Sequence, residues 1–147
     1  MKKDFSISDI SEIARTLLTH ITKVKPKKAT IVTLTGDLGA GKTSLVQAIA
    51  KKVGITETLQ SPTFVILKRY VLPQKSMLGS RFSNLIHIDA YRLVHPEELI
   101  KLGWNEIITD PRNLIFVEWP EKVPTILPKE AFSVSLDHKG ESRRISW

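Results

Sequence analysis

The chain has 147 residues, of which 41% are hydrophobic and 25% charged, and it carries a net charge of +7. This length predicts one domain, residues 1–147, built around a single core. The absence of cysteine excludes disulfides, thiolate catalysis and cysteine-bound zinc. No apolar run approaches the roughly 18 residues that a bilayer span requires, and the first residues lack the apolar stretch of a signal peptide. We therefore expect a cytoplasmic protein without membrane contact.

The first predicted element is a helix over residues 9–21. Its apolar residues recur on one helical face, Ser8 is the expected N-cap, and Pro26 lies beyond the end. Residues 30–35 follow as a β-branched, apolar run, and this run predicts a buried strand.

A complete phosphate-binding loop pattern, G-x-x-x-x-G-K-[ST], stands directly after this strand. Its residues are Gly36, Asp37, Leu38, Gly39, Ala40, Gly41, Lys42 and Thr43. The glycines allow backbone N–H groups to surround phosphate oxygens, and the N-terminus of a following helix adds its dipole. Lys42 would reach the β- and γ-phosphates and the Thr43 hydroxyl would hold Mg²⁺, with Ser44 as a further nucleotide contact. The pattern predicts that the chain binds a nucleoside triphosphate.

Strands and helices alternate along the rest of the chain. Residues 44–53 are predicted to form a helix that ends at Gly54. Short apolar runs predict strands at 64–67, 85–88, 114–117, 131–136 and 143–147, with a loop or hairpin tip at 71–84 and a short helix at 96–103. This order predicts an α/β fold: a single P-loop NTPase domain with a mixed, largely parallel central sheet flanked by helices.

Two acidic residues end predicted strands: Asp89 follows residues 85–88, and Glu118 follows residues 114–117. In open α/β sheets, ligands bind outside the carboxyl ends of the strands. A carboxylate at such an end can bind or orient Mg²⁺ opposite Thr43. The alternative for each acid is an ordinary capping or turn role.

Four further residues have a functional and a structural interpretation. Thr63 lies on a turn where a hydroxyl could sense the γ-phosphate, although an ordinary turn is the better reading of the residues alone. Trp119 follows Glu118 and is more often a packing residue than a chemical one. Arg92 could stabilise charge on the transferring phosphoryl group or be a surface cation, and His87 is better interpreted as a structural histidine than as a ligand.

Basic residues form one cluster and two smaller patches. They are Lys23, Lys25, Lys27 and Lys28, then Lys68-Arg69, and finally Arg143-Arg144. A basic surface suits a polyanionic partner such as RNA. No aromatic residues interleave with these clusters, as a platform for single strands would require, so direct RNA contact remains open.

Five blocks of sequence, in order, resemble the signature of the TsaE family, also called YjeE. They are residues 36–43, 61–64, 87–93, 102–103 and 117–121. Members of this family are small bacterial P-loop ATPases that support the formation of threonylcarbamoyladenosine in tRNA. The resemblance implies weak ATP hydrolysis by the chain alone and action with the TsaD–TsaB complex to sustain turnover. Direct contact with the tRNA stays open.

The resemblance also implies roles for particular residues. Thr43 and Glu118 become the magnesium-binding pair, and Asp89 a carboxylate near the metal and the γ-phosphate. Thr63 belongs to a switch-like loop, and Trp119 becomes a functional neighbour of the metal acid. Lys42, Asp89 and Glu118 are then the expected catalytic residues, with ATP and Mg²⁺ as cofactors.

Two features differ from the family pattern. Lys68-Arg69 stands where many members carry an acidic residue, and the loop at 71–84 is longer than expected. Both features are consistent with a partner-facing surface.

Three functions are compatible with the loop. The first is the ATPase accessory of tRNA modification. The second is a small-molecule phosphotransferase, although the sequence has no recognisable acceptor site and no arginine-rich lid. The third is a nucleotide-gated binding module without chemistry. No N-K-x-D or T-K-x-D guanine-reading motif occurs, which disfavours an ordinary GTPase.

Overall fold

A seven-stranded mixed sheet forms the centre of the computed structural model, which describes residues 1–23, 25, 27–76, 78 and 81–147. Its strands are β1 (Lys2–Phe5), β2 (Thr30–Thr35), β3 (Leu67–Val71), β4 (Asn84–Asp89), β5 (Asn113–Glu118), β6 (Phe132–Lys139) and β7 (Ser142–Ser146). Their order across the sheet is β1-β7-β6-β2-β5-β4-β3. The central strands β6, β2, β5 and β4 pair in parallel, and the three outer strands pair antiparallel. The predicted α/β fold with a largely parallel sheet is confirmed.

Helices cover both faces of the sheet. They are α1 (Ile10–Ile21), α2 (Lys42–Lys52), α3 (Glu97–Lys101) and α4 (Trp104–Thr109), with short 3-10 turns at Ile7–Asp9 and Pro120–Lys122. One core cluster lies under α1 and α2 and the other under α3 and α4. Strand β5 contributes Leu114 and Phe116 to the first and Ile115 and Val117 to the second. Burial on both faces explains why this strand is apolar without alternation.

Most predicted elements are present, with shifted boundaries. The predicted helix at 96–103 is shorter, because α3 ends at Lys101 and Gly103 adopts a left-handed backbone with φ 91°. The expected N-cap, Ser8, lies inside the 3-10 turn instead, and Asp9 occupies the N-cap position of α1 without a side-chain capping hydrogen bond. Pro26, predicted to lie beyond this helix, is outside the described residues, as is Gly79 in the loop between β3 and β4.

One strand prediction is wrong and two elements were not predicted. Residues 64–66 are not a strand: Ile66 has φ 66°, a left-handed backbone that a β-branched residue rarely adopts, and β3 begins only at Leu67. Strand β1 is polar apart from Phe5 and forms by pairing with β7. Helix α4 follows α3 directly after Gly103.

Within the described parts of the chain, no helix is long and apolar enough to cross a membrane.

The phosphate-binding loop leaves β2 beside the neighbouring strand β6. Gly36 has φ +137°, and a methyl group at its Cα would overlap the carbonyl oxygen of Leu136 on β6. Only glycine allows the chain to turn away from the sheet at this point.

Gly36→Ala is therefore expected to lower the free energy of unfolding by at least about 3 kcal/mol, since it combines backbone strain with steric overlap. Gly140→Ala is the matched control. Gly140 has φ +61°, but no atom of the described residues lies within 4 Å of its added methyl group, so only the backbone cost of about 1 kcal/mol remains. Urea denaturation of both variants measures the difference, and equal losses would contradict the steric explanation.

Candidate functional site

The carboxyl ends of three parallel strands converge beside the phosphate-binding loop. In the sheet register, Glu118 of β5 is paired with Leu34 of β2 on one side and with Asp89 of β4 on the other. Both acidic residues are buried. The parallel register therefore places the two strand-end acids next to the loop that follows β2.

These ends surround a cleft of about 240 Å³. Its lining includes ten of the predicted site residues: Leu38, Gly39, Gly41, Lys42, Thr43, Ser44, Thr63, Asp89, Glu118 and Trp119. Three other predicted residues do not line it: Gly36 and Asp37 present their carbonyl groups to Lys42, and Ala40 is buried in the core. Ser61 and Tyr91 line the cleft in addition.

Thr43 and Glu118 are in direct contact. The Thr43 hydroxyl donates a hydrogen bond of 2.8 Å to Oε1 of Glu118. The same carboxylate oxygen lies 2.7 Å from Nε2 of His87, which is fully buried on β4. Nδ1 of His87 has no hydrogen-bond partner among the described residues. His87 thus fixes the carboxylate from behind while Thr43 contacts it from the loop.

Lys42, the lysine of the phosphate-binding loop, is buried. Its ammonium donates to the carbonyl oxygens of Gly36 at 2.5 Å and Asp37 at 2.9 Å. It also lies 4.1 Å from the ring centroid of Trp119, a cation–π distance. Burial lowers the pKa of Lys42, and the carboxylates of Glu118 and other nearby acids offset this only in part. The surroundings of this ammonium therefore favour an additional anion.

Trp119 reaches Lys42 because its own backbone is left-handed, with φ 59°. A non-glycine residue in this conformation costs roughly 1–2 kcal/mol. Its backbone N–H donates to the carbonyl of Leu34 at 3.3 Å, and its ring packs 5.0 Å from the ring of Tyr91. The strained turn after β5 thereby directs an aromatic face at the lysine.

Thr63 is joined to Asp89 by its side chain. The Thr63 hydroxyl donates to Oδ2 of Asp89 at 2.8 Å and lies 2.7 Å from the hydroxyl of Ser61. Oδ1 of Asp89 accepts the backbone N–H of Tyr91 at 3.0 Å. The strained residue Ile66 ends this segment, and its carbonyl accepts the N–H of Asp89. A change in the position of Asp89 would therefore shift the segment that carries Thr63.

His87 was interpreted as a structural histidine, and it is fully buried with its Nε2 on Glu118. Sequence reasoning did not assign Ser61 and Tyr91 to the site, although they lie within the blocks 61–64 and 87–93 that resemble the family. Arg92, left open between two roles, lies over the exposed ring of Phe64 at 4.4 Å and does not line the cleft.

The sheet order and the loop after β2 define an α/β protein of the phosphate-binding-loop class. The family model described as "Threonylcarbamoyl adenosine biosynthesis protein TsaE" matches residues 6–145, and the chain belongs to this family. The family predicted from the five sequence blocks is confirmed.

Relatives of known name agree with this assignment. The chain is similar to proteins named "tRNA threonylcarbamoyladenosine biosynthesis protein TsaE" from Haemophilus influenzae, 33% identical over 125 residues, and from Bacillus subtilis, 33% identical over 130 residues. These matches cover 85% and 86% of this chain and 73% of each relative. The crystal structure of Bacillus subtilis YdiB is similar in fold, with a TM-score of 0.72, 28% identity, and coverage of 99% of this chain and 82% of that one.

The contact between His87 and Glu118 can be tested by a double-mutant cycle. His87→Leu removes the contact of Nε2 with the buried Glu118 carboxylate and leaves it only the Thr43 hydroxyl, and we expect this change to lower the free energy of unfolding by about 2–3 kcal/mol. In a Glu118→Gln background the same change should cost at least about 1 kcal/mol less, because a neutral amide depends less on that donor.

The exposed His95 provides the control. His95→Leu should have a small effect that is equal in both backgrounds. Urea denaturation of the four proteins of each cycle gives the coupling energy. Strictly additive effects at His87 would contradict the role that the geometry gives it.

Proposed function

We propose that the chain binds ATP with Mg²⁺ and hydrolyses it slowly, as an accessory in the formation of threonylcarbamoyladenosine in tRNA. The observation that carries the proposal is the 2.8 Å contact between the Thr43 hydroxyl and the Glu118 carboxylate beside a complete phosphate-binding loop. A loop hydroxyl and a strand-end carboxylate are the two protein groups that hold Mg²⁺ in proteins with this loop.

The donor set fits Mg²⁺. Thr43 and Glu118 supply oxygen atoms, which this ion prefers, and Mg²⁺ is usually held by one or two protein groups together with phosphates and water. The part of the chain that the structure describes has no group of three or more His, Cys, Asp or Glu side chains that could hold a metal by themselves. Such a set is not needed here, because phosphate oxygens and water would supply the other ligands of Mg²⁺. The ion would neutralise negative charge on the phosphates.

The chain's own residues would do the rest. Lys42 would exchange its carbonyl contacts in the loop for the β- and γ-phosphates, stabilising charge that develops on the transferring group. The N–H groups of the loop and of the start of α2 would hold the phosphate oxygens. Asp89 would orient the attacking water. The Trp119 ring would hold the Lys42 ammonium in position through the cation–π contact.

The bond between Asp89 and Thr63 supports a switch role for the segment 61–66. A γ-phosphate would compete with Asp89 for the Thr63 hydroxyl, and loss of that phosphate would restore the observed hydrogen bond. Apolar side chains are exposed beside this region: Leu38 on the loop is 76% exposed and Phe64 is 83% exposed. Exposed apolar residues at a nucleotide site favour a protein partner, and we propose that it is the TsaD–TsaB complex.

Two substitutions test the chemistry. Lys42→Ala is expected to lower steady-state ATP hydrolysis by about 100-fold or more, because it removes the main cation at the developing charge. Glu118→Ala should sharply weaken the dependence of turnover on the Mg²⁺ concentration. Lys101→Ala and Glu106→Ala are matched controls on exposed positions of α3 and α4. Unchanged turnover in Lys42→Ala or Glu118→Ala would overturn the site assignment.

The biological role is tested by ATP hydrolysis with and without partners. We expect slow phosphate release by the purified chain with Mg²⁺ and a marked rise when TsaD–TsaB from the same organism is added. A phosphorylated metabolite that forms in step with ADP would instead support a phosphotransferase. Retained tRNA modification in a variant that binds ATP without hydrolysing it would support the nucleotide-gated module.

A further inference from the structure

Strand β3 forms one end of the central sheet, and among the described residues it pairs with β4 alone. Two hydrogen bonds show which of its backbone groups face β4. The N–H of Leu72 donates to the carbonyl of Ser83 at 2.9 Å, and the carbonyl of Ile66 accepts the N–H of Asp89 at 2.9 Å. In an antiparallel ladder, such hydrogen-bonded pairs alternate with pairs whose backbone groups point away from each other. The positions of Ile66 and Leu72 therefore fix the pattern for the whole strand.

This alternation leaves the backbone groups of Arg69 and Val71 on the free edge of β3. Every second residue from Ile66 to Leu72 faces β4, so the N–H and C=O groups of Arg69 and Val71 point away from it. No backbone hydrogen bond among the described residues satisfies these outward groups. The edge thus offers donors and acceptors at the spacing of a β-strand, which is the template that an added strand requires.

The side chains along this edge are exposed, and two of them are basic. Lys68 and Arg69 are both exposed, and neither takes part in an ion pair of the described residues. Asp110 does not neutralise Arg69: hydrogen bonds from Arg112 are the main cause of its lowered pKa, and the charge of Arg69 contributes less. Val71 is 75% exposed, so the helices that cover the sheet do not reach it. The edge is accessible and carries cations without an acidic partner.

Backbone and charge together favour one kind of occupant. Pairing with the β3 edge of a second copy would bring the basic side chains of two short strands together, and like charges across a strand pair are destabilising. A nucleic acid would be attracted by the cations, but its backbone cannot match the N–H and C=O groups of Arg69 and Val71. An extended peptide segment with acidic side chains matches both the backbone groups and the charge.

We propose that the free edge of β3 binds an extended, acidic segment of a partner protein as a further strand of the sheet. The backbone groups of Arg69 and Val71 provide the hydrogen bonds, and the cations of Lys68 and Arg69 select carboxylates. The proposal goes beyond the proposed function, because these residues do not line the nucleotide cleft. It also connects partner binding to the segment 61–66, which leads directly into β3.

A capped synthetic peptide of alternating glutamate and valine residues is the probe. Because Lys68 and Arg69 project from opposite faces of β3, glutamates on either face of the added strand lie beside one of them. In an NMR titration of the isotope-labelled full chain, the peptide should shift the amide signals of Arg69 and Val71. The same peptide with lysine in place of glutamate should bind at least about tenfold more weakly, because its charges are repelled by the edge.

Two substitutions at one position separate the backbone from the side chain. Val71→Pro removes an outward N–H, a change that an edge strand tolerates. It should weaken binding of the glutamate peptide at least about fivefold relative to Val71→Ala, the loss expected for one hydrogen bond. Arg69→Glu should weaken binding about tenfold or more, and the control Lys101→Glu, on the exposed side of α3, should stay within about twofold of the unmodified chain. Thermal unfolding midpoints close to that of the unmodified chain would show that the variants are folded.

Each alternative gives a different result. No shift at Arg69 and Val71 with the peptide in the millimolar range would overturn the proposal and leave the two cations as charges that only keep sheet edges apart. Equal binding by Val71→Pro and Val71→Ala would overturn the addition of a strand. Tighter binding of oligouridylate than of the glutamate peptide at the same residues would assign the surface to RNA instead. None of these outcomes affects the ATPase proposal, which is tested by substitutions in the cleft.

Discussion

Parallel pairing of β4, β5 and β2 in register is the constraint on which the site depends. It sets Asp89, Glu118 and the start of the phosphate-binding loop side by side at one edge of the sheet. Each of these groups belongs to a different segment, and no local interaction would bring them together. Because β5 is buried on both faces, a slip of its register by one residue would exchange its side chains between two differently packed core clusters. The position of the candidate metal acid is thus secured by the hydrophobic core.

The residues of the site contribute less to the free energy of unfolding than the hydrophobic core beneath them. Lys42, Asp89 and Glu118 are ionisable groups withdrawn from water, and the neighbouring His87 has a ring nitrogen without a hydrogen-bond partner among the described residues. Withdrawing charges from water costs free energy that their mutual attraction repays only with good geometry. Left-handed backbones at Ile66 and Trp119 add strain on either side of the cleft. Such costs are usual where a protein keeps groups ready for a ligand.

The loop lies between two different sets of side chains. On the β5 side are the acids with their hydroxyl partners Thr43 and Thr63. On the β6 and β7 side is the guanidinium of Arg143, whose Nε has no hydrogen-bond partner among the described residues.

The sequence by itself determined the local features of this protein. The loop pattern of residues 36–43, the apolar strands and the acids at their ends depend on neighbouring residues only, so the fold class and the acids of the site could be predicted from them. The family, and the site roles of Thr63 and Trp119, were predicted from the resemblance of five sequence blocks. Tertiary structure decided the rest. The contact of His87 with Glu118, the approach of Arg143 to Gly41 and the pairing of the polar strand β1 join segments far apart in the chain. Strand order and register create these contacts, and the spacing of residues along the chain does not predict them. The late start of β3 also depends on a contact between distant segments. The residues 64–66 favour a strand by their β-propensity, but Ile66 has a left-handed backbone and its carbonyl accepts the N–H of Asp89.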